Sequence, residues 1–169
     1  MINLALFVLL LKADAPEDQA LKAAQYTGSY VNSDYGFSVK IPDHLTGVGA
    51  AEGAPNHGFV VTLPGGGSLS VNAIYDVVEP ESGSSEQRIH ARDNQGGTTL
   101  GGLPAELERT RRRVGGRWII TKSIHAVRRV DAGSPIDYAI TLEATEGELS
   151  AAERAFKRMV ESFRLLPGH

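Results

Sequence analysis

Two groups of side chains in this sequence are of the types that carry chemistry. Arg109, Arg111, Arg113 and Arg117 crowd around Trp118 and Lys122, while Glu106, Ser123 and His125 bring a carboxylate, a hydroxyl and an imidazole close together in the chain. Guanidinium groups beside an indole are the composition of interface anchors. Their natural partners are anions, such as a carboxylate-rich protein surface or a polyanionic envelope polymer. Serine, histidine and glutamate are the members of a hydrolytic relay. Glu106 and His125, joined by Glu108 or Glu143, also offer oxygen and nitrogen donors to a divalent ion.

What these residues can do depends on the strands that hold them. The runs 103–113 and 118–130 flank Val114-Gly115-Gly116-Arg117, and a Gly-Gly pair between two β-rich runs marks a two-residue hairpin. That turn sets Leu107 opposite Ile124 and Ala105 opposite Ala126. It also sets Arg109 beside Lys122, Arg111 beside Ile120 and Arg113 beside Trp118. A second turn, at 131–135, predicts the pairs Ile124–Leu142, Ala126–Ile140 and Val130–Ile136. One face then collects Leu103, Ala105, Leu107, Ile124, Ala126, Ile136, Ile140 and Leu142. The other collects Glu106, Glu108, Thr121, Ser123, His125, Asp137, Thr141 and Glu143. Because a one-residue slip would scatter both sets, the pattern predicts a one-sided antiparallel sheet.

On the polar face this register puts Glu106, His125 and Thr141 in one row, and Glu108, Ser123 and Glu143 in the next. Ser123 and His125 are two apart on one strand, about 7 Å between Cα atoms. Ser123 also lacks a nucleophile elbow. An alternating polar sheet face is the plainer reading, and the histidines lack the spacing of a zinc site. No catalytic, metal or cofactor residues are therefore assigned. At the basic end, Arg109 against Lys122 is a like-charge pair that costs stability unless an anion or water separates it. Arg113 can stack on Trp118. The plainer reading there is a solvated edge whose arginine stems cover Ile120 and Trp118.

The apolar face needs a cover. Ser150-Ala151-Ala152-Glu153 has the form of a capping box, and Ala152, Phe156, Met159, Val160 and Phe163 recur at helical spacing. The sequence predicts a helix ending near Ser162, followed by a short strand at 163–166.

The chain has 169 residues, no cysteine and a net charge of −3. Length suits one domain. The missing cysteine excludes disulfides, thiol catalysis and thiolate metal sites, and the charge argues against a specific nucleic-acid binder. Charge is nevertheless unevenly placed: residues 103–130 carry eight basic and two acidic side chains, whereas 1–102 carry five and eleven. Ile2–Leu11 is almost wholly apolar and is followed by Ala13-Asp14-Ala15. That is too short to span a bilayer as a helix and suits the apolar core of an export signal. The expected organisation is a leader over 1–15, an N-terminal segment over 16–29 and a single domain over 30–166, in a periplasmic or secreted monomer.

Elsewhere, 18–26 is expected as a short helix, and 37–41 as a strand with Phe37, Val39 and Ile41 inward and ending at Pro42. Residues 44–58 are expected as loop, 59–63 and 69–78 as a hairpin across a glycine run, and Ser84-Ser85-Glu86-Gln87 as the cap of a middle helix to Arg92. The glycine run is followed by strand rather than helix, which favours a turn over a phosphate cradle.

A Tyr30-to-Pro42 opening ending Tyr-Gly-Phe-Ser-Val-Lys-Ile-Pro is followed by a middle hairpin and a Gly-Leu-Pro-Ala-Glu strand. The chain closes on Ala-Phe-Lys-Arg-Met-Val-Glu-Ser-Phe-Arg-Leu-Leu. In this order the sequence resembles the PsbP-like superfamily, which includes the photosystem II extrinsic subunit and bacterial envelope proteins of the DcrB type. The tryptophan often seen after the first proline is replaced by His44-Leu45. The resemblance implies an α+β fold with an antiparallel sheet packed against a C-terminal helix and a short middle helix, and a non-catalytic binding or assembly role. The expected function is recognition of a protein or envelope component through Arg109, Arg111, Arg113, Arg117, Trp118 and Lys122. The alternatives are a weak hydrolase or metal-dependent enzyme using Glu106, Ser123 and His125, and an immunity or inhibitor protein.

Overall fold

The structure, a computed structural model, describes residues 23–51, 54–75, 91–92, 97–129 and 134–168. In chain order the elements are β1 (Ala23–Tyr26), β2 (Ser29–Asn32), β3 (Phe37–Lys40), β4 (Gly47–Ala51), β5 (Gly58–Thr62), β6 (Ser68–Tyr75) and β7 (Ala91–Arg92). They continue with β8 (Thr99–Leu100), β9 (Leu103–Pro104), β10 (Glu106–Val114), β11 (Arg117–Arg128), β12 (Ile136–Thr145), α1 (Leu149–Ser162) and β13 (Arg164–Leu165). Eight strands form one antiparallel sheet in the order β1-β4-β5-β6-β12-β11-β10-β7. A smaller sheet, β13-β3-β2, and the β8-β9 hairpin complete an α+β architecture.

The central hairpin forms as its turn dictates. Gly115 and Gly116 have φ of 55° and 81°, the left-handed pair of a type I′ turn, and Val114 closes on Arg117. The expected pairs Leu107–Ile124, Arg109–Lys122, Arg111–Ile120 and Arg113–Trp118 are all present. The second hairpin differs by two residues: Ile124 pairs with Ile140, Ala126 with Tyr138 and Arg128 with Ile136, so the connection spans 129–135. A two-residue shift keeps every side chain on its face. It also sets the Tyr138 ring opposite the small Ala126, where its hydroxyl donates to the Tyr35 carbonyl at 2.7 Å. The buried face accordingly holds Ile124, Ala126, Ile136, Ile140 and Leu142, plus Tyr138, with Leu103, Ala105 and Leu107 packed at its margin.

Helix α1 seals this face against β12 and β3, burying Ala152, Phe156 and Met159. Burial of such side chains is worth about 1.5–3 kcal/mol each for the large ones. The helix begins earlier than the capping box requires. Glu148 is the N-cap residue and Ser150 lies inside the first turn, its hydroxyl accepting from Arg154. Thr145 Oγ1 donates to the Glu148 carboxylate at 2.8 Å, which fixes the preceding turn instead. At the other end Ser162 Oγ accepts from the Lys40 amide, Phe163 stacks on Phe37 at 5.3 Å, and β13 pairs with β3 as expected.

Phe37, Val39 and Ile41 point inward, and the glycine run at 65–67 is a hairpin turn between β5 and β6. Three local expectations change. Residues 23–26 are strand rather than the end of a helix, because they pair with β4, which itself arises within the expected 44–58 loop. The last two residues of the expected middle helix, Ala91 and Arg92, pair with β10 as strand. The remainder of that helix, and the 1–15 leader, lie outside the described residues. Among the described residues α1 is the one helix, and none is long and apolar enough to cross a membrane.

Candidate functional site

β10 and β11 run past the cover that α1 provides, so one pair of strands contributes both core and exposed tip. Ile124 belongs to the buried core and Leu107 packs against it. Further along the same ladder, Arg109, Arg111 and Arg113 share the helix-side face with Trp118, Ile120 and Lys122. The like-charge pair Arg109–Lys122 is relieved from across the core: Lys122 Nζ sits 3.4 Å from Glu153 of α1 and 5.5 Å over the Phe156 ring. Arg109 is left facing solvent.

The Arg111 guanidinium carbon lies over the Trp118 indole, 4.0 Å from its centroid, and the group donates to both carboxylate oxygens of Glu146 at 3.1 and 3.2 Å. Arg113, the residue expected to stack, is 5.9 Å from the same ring. Arg111 wins because the two-residue shift of β12 brings Glu146 alongside Trp118, where the Glu146 amide donates to the Trp118 carbonyl at 3.1 Å. On the opposite face Arg112 donates to Glu143 at 2.9 Å. Among the described residues Arg109, Arg113 and Arg117 have no acidic partner within ion-pair distance. Trp118 is 38% exposed and Val114 50% exposed. The tip is therefore a half-open indole braced by one neutralised arginine, with Arg113 beside it and Arg109 and Arg117 elsewhere on the same hairpin end.

Sequence reasoning brought together all six of Arg109, Arg111, Arg113, Arg117, Trp118 and Lys122. It missed Arg112 and the acidic braces Glu143, Glu146 and Glu153. These come from β12 and α1, and only the true register of β12 aligns the first two with the hairpin.

The polar face is rearranged by the same shift. Glu106, His125 and Ala139 form one row, Glu108, Ser123 and Thr141 the next, and Thr110, Thr121 and Glu143 a third. Ser123 is buried and its Oγ lies 3.1 Å from Thr141 Oγ1. His125 Nδ1 is 4.0 Å from Asp137 Oδ1. Among the described residues no hydrogen bond joins Ser123 to His125, and no three metal-ligating side chains converge. Glu143, now two rows from His125, is engaged by Arg112.

A groove of about 350 Å³ lies between α1 and the turns at 42–45 and 63–67, lined by Leu45, Leu63, Ala152 and Ala155 with Arg158 at its margin. His44 borders it with a left-handed φ of 65°. Residue spacing carried no signal for this groove, since its walls come from three separated parts of the chain.

Burial raises the phenols of Tyr30, Tyr35 and Tyr138 above their ordinary value of 10.0. All three belong to the aromatic packing of the core, away from the tip.

No family model matches the chain, and no curated protein matches it. Among solved structures it is similar to LpqN of Mycobacterium tuberculosis, a protein described as involved in cell envelope biogenesis. The two share 15% sequence identity and a TM-score of 0.57, over 86% of this chain and 92% of that one. This likeness shows a common fold.

Proposed function

We propose that this chain is a non-catalytic, exported binding or assembly protein that recognises an anionic protein or envelope component through the β10–β11 tip. The observation that carries the reading is the tip itself. Arg113 lies beside a partly exposed indole, with Arg109 and Arg117 on the same hairpin end, while Glu143, Glu146 and Glu153 are each engaged by another cation. Half-exposed aromatic residues with adjacent arginines are where binding energy concentrates. The envelope role described for LpqN supports an envelope setting. A PsbP-like ancestry and a periplasmic or secreted location fit the same picture.

The test is capture from solubilised envelope by wild type and by Arg109→Glu with Arg113→Glu. These two arginines make no ion pair among the described residues, so their reversal changes the tip and leaves the fold intact. Capture of a defined partner lost in the variant supports the proposal; capture retained at wild-type level removes the tip from it. A hydrolase screen of wild type against His125→Ala tests the enzymatic alternative, and activity abolished by that change would favour it.

A further inference from the structure

The groove between α1 and the turns at 42–45 and 63–67 is lined mainly by short and aliphatic side chains, Ala144, Ala152, Ala155, Leu45 and Leu63 among them. Gly67 lets its turn lie on β12: a Cβ there would come 2.7 Å from the Glu143 carbonyl oxygen. No phenyl, phenol or indole ring lines the groove, so it offers a planar ligand no face to stack on. Its volume of about 350 Å³ is at the small end for ligand sites and suits a slender saturated chain. Two of its charged neighbours are occupied. Glu148 accepts from Thr145 Oγ1 and lies against Gly65, and Arg154 donates to the carbonyl and hydroxyl of Ser150. Asp43, His44 and Arg158 remain at the margin.

A second, more polar groove adjoins the first, and Pro42, Asp43 and Arg158 border both. It adds Lys40 and Arg164, with the hydroxyls of Ser29 and Ser38. Arg164 donates to the main-chain carbonyls of Glu161 and Phe163. Among the described residues neither Lys40 nor Arg158 lies within ion-pair distance of a carboxylate. Of the two acidic residues there, Glu161 pairs with Lys157 at 3.7 Å, which leaves Asp43 against three cations. A net positive junction thus opens directly onto an aliphatic trough.

We propose that the joined grooves bind a single-chain amphiphile with an anionic head. The alkyl chain lies in the aliphatic groove, and a carboxylate or phosphate meets Arg158 and Lys40. Each buried methylene favours the complex, and charge-assisted hydrogen bonds fix the head. A cationic amphiphile of the same length meets like charges instead. This site is separate from the β10–β11 tip and stands or falls independently of it.

The experiment titrates the whole protein, below micelle-forming concentrations, with hexanoate, octanoate, decanoate and dodecanoate, and with decyl phosphate, decanol and decyltrimethylammonium. Affinity should rise about two- to fourfold for each added methylene until the groove is full. Decanoate or decyl phosphate should bind about tenfold more tightly than decanol, and decyltrimethylammonium more weakly still. The tighter of the two anions identifies the head. Arg158→Glu, at an exposed residue, should remove that preference for anions while keeping the gain per methylene. Ala155→Trp fills the groove and should abolish the gain; should that variant fail to fold, amide shifts at Leu45, Leu63 and Ala155 on adding decanoate to the wild type locate the chain instead. Arg109→Glu with Arg113→Glu should bind decanoate as the wild type does, which separates this site from the tip. The proposal is overturned if none of the anions binds, if affinity is indifferent to chain length, or if anionic and cationic heads bind alike. It is overturned equally if the tip variant, and not Arg158→Glu, loses the ligand.

Discussion

The inner and outer halves of the β10–β11 hairpin share one ladder and one parity, yet they end in opposite environments. At the inner half Ile124 and Ala126 belong to the buried core and Leu107 packs against it, with the β8–β9 hairpin lying against β11. At the outer half the same face carries Arg109, Arg111, Arg113 and Trp118 beside one buried apolar residue, Ile120, with Lys122 reaching back to the helix. The sheet is extended past the point where its cover stops. A strand that merely closed a core would have no need of that overhang, and ribbon with a single buried side chain, Ile120, adds less stability than the half that builds the core. The outer half can therefore vary at little cost to folding, whereas the inner half cannot.

This contrast can be broken from either side, and the largest effect is expected at the inner half. Phe156→Asp places a charge on the buried stripe of α1 and should cost more than about 4 kcal/mol, seen as loss of cooperative unfolding in urea. A smaller loss is expected for Tyr138→Phe, which removes the 2.7 Å bond to the buried Tyr35 carbonyl. Leaving that acceptor unmet costs about 1–3 kcal/mol, measurable as a lower denaturation midpoint with unchanged slope.

The buried tyrosines also set a pH dependence. Their folded pKa values lie above the ordinary 10.0, so the protonated phenols favour the native state. That contribution is complete below pH 10 and is lost as pH rises through the raised folded values. Unfolding free energy measured from pH 8 upward should be flat with respect to these groups and then fall beyond about pH 10.

At the outer half the stability effects shrink. Trp118→Ala should change unfolding free energy by less than about 1 kcal/mol while weakening partner binding about thirtyfold or more. Glu146→Gln should be milder still, within about 1 kcal/mol, since its pair with Arg111 is solvent-exposed on both sides.

Much of the inner half was legible before the fold was known. The Gly115-Gly116 turn demanded one register, and parity then assigned both faces of β10, β11 and β12. The connection after β11 was not legible to the residue, because a shift of two preserves parity and hence the whole apolar pattern. In the true register Tyr138 pairs with Ala126, packs its ring against Phe37 and Phe163 and reaches the Tyr35 carbonyl, tertiary contacts that alternation does not encode. The same shift decided that Glu146 braces Arg111, so the six basic and aromatic tip residues were visible while their acidic counterparts were not. The helix start was misplaced for a related reason: Ser150 has the chemistry of a cap, but the Thr145–Glu148 contact begins the turn earlier. β1 and β4 were hidden because Ala- and Gly-rich segments have weak strand preference and become strands through pairing with each other and with β5.

The central claim is that recognition and folding reside in different halves of one hairpin. Its most direct test measures the melting temperature and the partner dissociation constant on the same preparation of Arg109→Glu with Arg113→Glu. The account predicts a melting temperature within about 3 °C of wild type and affinity reduced by at least about a hundredfold. Unaltered affinity, or a collapse of the melting temperature in step with affinity, would contradict it.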